Sequence, residues 1–64
     1  MTVTQRESVE SIKADLDVHN VHIDPHPGGW LRVTAEGSEV GIRWVRRYIV
    51  QADGTVEEFA GIPA

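Results

Sequence analysis

The chain has no cysteine, one lysine, one methionine and three prolines among its 64 residues. Without cysteine neither a disulfide framework nor a thiolate metal cage can hold it together, so stability must come from apolar packing, from association, or from both. No stretch is apolar for the ~20 residues a membrane span requires. The start, Met1-Thr2-Val3-Thr4-Gln5-Arg6-Glu7, lacks a basic segment followed by an apolar run. These absences lead to the expectation of a cytoplasmic, unprocessed chain without membrane partners.

Catalytic patterns are equally scarce. Ser38 has no surrounding Gly-x-Ser-x-Gly elbow, and Gly28-Gly29 precedes a strand rather than opening a helix, so it is no phosphate loop. Glu57 and Glu58 are neighbours on a strand, which sends them to opposite faces and prevents shared acid–base work. A chain of this size buries only about 60% of its unfolded surface. Enclosing a pocket of ~300 Å³ is then difficult. Neither enzymatic activity nor a cofactor is expected.

What is present suffices for a core: hydrophobic residues make up 41% of the chain, which argues against disorder, and a net charge of −4 favours solubility. The charge is unevenly spread. Met1 to Gly29 carries −3 and Gln51 to Ala64 carries −3, whereas Trp30 to Val50, with Arg32, Arg43, Arg46 and Arg47 against Glu36 and Glu39, carries +2. A basic, aromatic-containing segment thus lies inside an acidic chain.

Thr4-Gln5-Arg6-Glu7 has the spacing of a capping box, and Val9, Ile12 and Leu16 follow on one stripe, so a helix is expected over about 4–19. Val21 and Ile23 alternate with His22 and Asp24 in a strand over about 21–24 that Pro25 and Pro27 end. Leu31, Val33 and Ala35 alternate in a second strand, about 30–36. If Gly37-Ser38 is a two-residue turn, Ala35 faces Val40, Val33 faces Ile42 and Leu31 faces Trp44, all apolar. A third strand then spans about 39–51. Asp53-Gly54 suggests a type I′ turn into a fourth strand, about 55–60, with Tyr48 opposite Phe59. The expected fold is one α+β domain over 1–64, with an N-terminal helix packed on one face of a three- to four-stranded antiparallel β-meander.

The same register pairs Trp30 with Val45, Arg32 with Arg43, Gln51 with Val56, Ile49 with Glu58 and Arg47 with Ala60 on the opposite face. Trp30, Val45, Ile49 and Val56 are more apolar surface than a solvated sheet face normally carries. Either a partner covers Trp30, Arg32, Arg43, Val45, Arg47, Ile49 and Val56, or a bulge near Val45–Arg47 returns Val45 or Ile49 to the core. His22, Asp24 and His26 form the one candidate metal cluster, with two prolines interrupting it, and ordinary polar surface is the preferred reading. Arginines beside Trp30, Trp44 and Tyr48 have the composition of sheets that stack bases. Against single-stranded nucleic acid stands a pI of about 5.1. The expected function is therefore a small non-enzymatic interaction module, of the kind that dimerises, joins an assembly or inhibits another protein, as phage- and mobile-element-encoded regulators do. Nucleic-acid binding is the alternative, and metal binding a weaker one.

Overall fold

The computed structural model describes residues 1–59. The helix α1 (Val3–Lys13) is capped by Thr2, two residues before the expected Thr4, because Thr2-Val3-Thr4-Gln5 is an equivalent capping box. Gln5 N–H donates to Thr2 Oγ1 at 3.1 Å, and Thr2 N–H donates to Gln5 Oε1 at 2.8 Å. Thr4 is not the cap; its hydroxyl donates to Ala52 O instead. The helix also ends six residues early. Asp15 accepts from Asp17 N–H at 2.9 Å through its side chain and from Val18 N–H through its carbonyl, a local turn that competes with further helix. Leu16, expected on the buried stripe, is consequently fully exposed. No helix among the described residues is long and apolar enough to cross a membrane.

Among the described residues four strands follow in meander order, β1 (Val18–Pro25), β2 (Leu31–Glu39), β3 (Ile42–Val50) and β4 (Val56–Phe59), every neighbouring pair antiparallel. The helix and sheet together make the expected α+β fold. The β2–β3 turn sits at Val40-Gly41, with φ of +52° and +77°, rather than at Gly37-Ser38. Two positive φ values in a two-residue loop match the right-handed twist of the strands. Gly37 stays in the strand because the Trp44 indole lies across it, where an added Cβ would stand 2.2 Å from the ring. The ladder thereby lengthens, and Leu31 meets Val50, Val33 meets Tyr48 and Gly37 meets Trp44. Every partner on β3 moves by six residues from the expected one. Six is even, so each side chain keeps its face.

The core is the helix stripe laid on that face: Val9, Leu31, Val33 and Val50 are buried, with Ile12, Val21, Ile23 and Tyr48 packed around them. Burial of each large aliphatic side chain contributes about 1.5–3 kcal/mol. Val50 takes the place expected of Trp44, and Ile42, expected in the core, is 71% exposed beyond the reach of the helix. Among the described residues Gln5 is the buried polar one, its Nε2 donating to Gly29 O at 2.8 Å. A bulge at His19 lets Val18, Val21 and Ile23 all serve the helix side.

The β1–β2 and β3–β4 loops are built alike. In the first, Gly29 N–H donates to His26 O and His26 N–H to Trp30 O, with Gly29 at φ +87°. In the second, Gly54 N–H donates to Gln51 O and Gln51 N–H to Thr55 O, with Gly54 at +90°. Each is a three-residue loop of a type I turn and a left-handed glycine. Asp53 Oδ1 accepts from Thr55 N–H at 2.9 Å, and this bond holds the Asp53 carboxyl below its ordinary value. The helix N-terminal half is sewn to this second loop through Thr2 and Thr4 to Ala52 O and Ser8 to Gly54 O.

Three loop residues instead of two shift β4 by one position, an odd number. Val50 pairs with Val56, Tyr48 with Glu58 and Ile49 with Glu57, correcting the expected pairs. Arg47 pairs with Phe59 by backbone register, and the Ala60 once expected there lies outside the described residues.

Candidate interaction face

The face of the sheet turned away from α1 has no element over it among the described residues. Alternation along each strand sends Asn20, His22 and Asp24 of β1, Arg32, Thr34 and Glu36 of β2, Arg43, Val45, Arg47 and Ile49 of β3 and Glu57 of β4 to this side. The register of β3 against β2 is unbroken from Ile42 to Val50, so the bulge that would have returned Val45 or Ile49 to the core does not occur. Both remain here, half-buried by their neighbours alone.

Six of the seven residues expected at a partner surface are brought together. Trp30, Arg32, Arg43, Val45, Arg47 and Ile49 share this face, with Trp30 at its loop end. Val56 does not belong to it. The one-residue shift of β4 turns Val56 to the helix side, where with Ile12 and Tyr48 it lines an open cleft of about 370 Å³ whose rim holds Ser8, Ser11 and Asp15. Nor do Arg32 and Arg43 oppose each other: Arg32 stands across from Ile49 and Arg43 from Ser38, which removes the like-charge contact the shorter hairpin implied.

The loop pairing that joins His26 to Trp30 stacks their rings at 3.9 Å, nearly parallel at 12°. Trp30 also leans on Gly28, whose absent Cβ would stand 3.1 Å from the indole nitrogen. His26 is therefore turned toward Trp30 and away from the other two members of the candidate metal cluster. His22 Nε2 and Asp24 Oδ1 lie 3.3 Å apart, both well exposed. Among the described residues no three histidine, aspartate or glutamate side chains are placed to share an ion.

Electrostatics changes most between sequence and structure. Arg46 leaves the basic set: it points to the helix side, its guanidinium 4.2 Å from the Trp44 ring centroid and 4.0 Å from the carboxylates of both Asp15 and Glu58. The open face keeps Arg32, Arg43 and Arg47, and sets Asp24, Glu36 and Glu57 beside them. Its net charge is zero. Among the described residues no carboxylate comes within 4.0 Å of those three guanidiniums. Sequence reasoning missed Asp24, Glu36, Glu57 and His26 as members. For His26 a signal existed in Pro27-Gly28-Gly29, which places proline and glycine where a three-residue hairpin loop wants them.

Compared with protein-family models, with curated proteins and with solved structures, the chain matches none, so the reading of this face rests on its own residues.

Proposed function

We propose that the chain is a protein-binding module without chemistry of its own, and that the open sheet face is its binding surface. One observation carries the reading: a sheet with a helix on one side presents on the other side Val45, Ile49 and the stacked Trp30, interspersed with three arginines that lack an ion partner among the described residues. Apolar and aromatic side chains mixed with arginine are the composition of protein interfaces, where desolvated aromatic and arginine anchors supply most of the affinity. The three carboxylates among those arginines weigh against a nucleic-acid backbone, which repels them.

Site-specific photo-crosslinking tests this. A photoreactive residue in place of Arg47 is expected to yield adducts with protein in the native host, and the same residue at Arg6 on the helix is expected to yield none. Adducts with nucleic acid at position 47, or identical adducts from both positions, would sink the proposal.

A further inference from the structure

We infer that the occupant of the open face is a second copy of this chain, docked sheet to sheet about a two-fold axis that crosses the Thr34–Arg47 pair; this rests on the reading of the face as protein-binding. Along β2 the face carries Arg32, Thr34 and Glu36, and beside them in register along β3 lie Ile49, Arg47 and Val45. A two-fold interface requires the patch to complement itself after a half-turn. Place the axis between the two sheets, perpendicular to the strands and over Thr34 and Arg47. Each strand then lies over its own copy, running the other way. Arg32 meets Glu36 of the second copy and Glu36 meets Arg32; Ile49 meets Val45 and Val45 meets Ile49. Unlike charges face one another and apolar groups face one another at all four positions.

Other placements fail on the same residues. An axis parallel to the strands sets β2 over β3 and lays Arg32 and Glu36 on apolar Ile49 and Val45. Sliding the chosen axis by one position on the face stacks Arg32 on its own copy in one direction; in the other it stacks Glu36 on itself and Arg43 on Arg47. With the axis at Thr34–Arg47 the one like-charge meeting is Arg47 with itself. That side chain is exposed, and Glu57, two positions along on the neighbouring strand and on the same face, is there to receive it. Stacked sheets of this kind cross at about 30°, which keeps these neighbours together. The face is neutral although the chain carries −4, so two copies approach this way without net repulsion between the faces.

Sedimentation velocity over a dilution series, on the wild type, Arg32→Glu, Glu36→Arg and the double variant, decides the matter. The wild type is expected to dimerise. Each single swap is expected to raise the dimer Kd about a hundredfold or more, because two like-charge contacts replace two ion pairs. The double swap is expected to restore the dimer, since the exchanged charges meet again across the axis. Arg32 and Glu36 are exposed, so each variant is expected to fold, with an unchanged circular dichroism spectrum as the check. A wild type that stays monomeric at every concentration overturns the inference, as does a dimer indifferent to the single swaps or a double swap no tighter than either single one. If the wild type is monomeric while position 47 still crosslinks to protein, the binding reading stands and the second copy falls; adducts with nucleic acid alone end both.

Discussion

The two faces of the sheet are made by the same strands yet differ in what covers them. On one side α1 lays Gln5, Val9 and Ile12 over Leu31, Val33 and Val50, and exposure there falls to 4% or less for the three strand residues. On the other, Val45 and Ile49 are shielded only by neighbouring side chains on the same face. Apolar residues on alternate positions do not by themselves say which set is the core. The helix decides, because burial on both sides of it releases apolar surface from water.

Truncating one apolar residue on each face should separate the two most widely. Leu31→Ala is expected to destabilise the monomer by about 2–5 kcal/mol in urea denaturation, from lost transfer energy and the cavity left behind. Ile49→Ala, measured at a dilution where the chain is monomeric, is expected to cost about 1 kcal/mol or less, the scale of a cross-strand pair. Equal losses would mean that both faces are covered. A sharper probe lies beyond the helix, where Trp44 is packed on Gly37. Gly37→Ala places a methyl against the Trp44 ring and the Asp17 carbonyl, 2.5 Å away, so a loss of about 1–3 kcal/mol and a shifted tryptophan emission are expected. An unchanged emission would show that the indole does not lie on Gly37. The smallest effect has the opposite sign. Val40 is a β-branched residue at φ +52°, and Val40→Asn is expected to stabilise by about 1 kcal/mol, with a higher urea midpoint and unchanged slope. Destabilisation by that substitution would place the turn elsewhere, at Gly37-Ser38.

The residue pattern set the element order, the meander and the faces of the second and third strands, because side chains alternate with period two and the six-residue difference between expected and observed partners leaves parity untouched. It placed Trp30, Arg32, Arg43, Val45, Arg47 and Ile49 on one surface for the same reason. Long-range packing settled the rest. Alternation cannot see an even slip, so the choice of Gly41 over Gly37 fell to the longer ladder and to the bulk of Trp44 needing a residue without a side chain beneath it. Nor can it count loop residues: a third residue in the Ala52–Gly54 loop sent Val56 to the helix side and put Glu57, in place of Glu58, across from Ile49 on the open face. The end of the helix was a competition between two local patterns, Leu16 continuing the stripe and Asp15 closing a turn; Asp15 accepts from Asp17 and Val18 N–H, and Leu16 is left exposed.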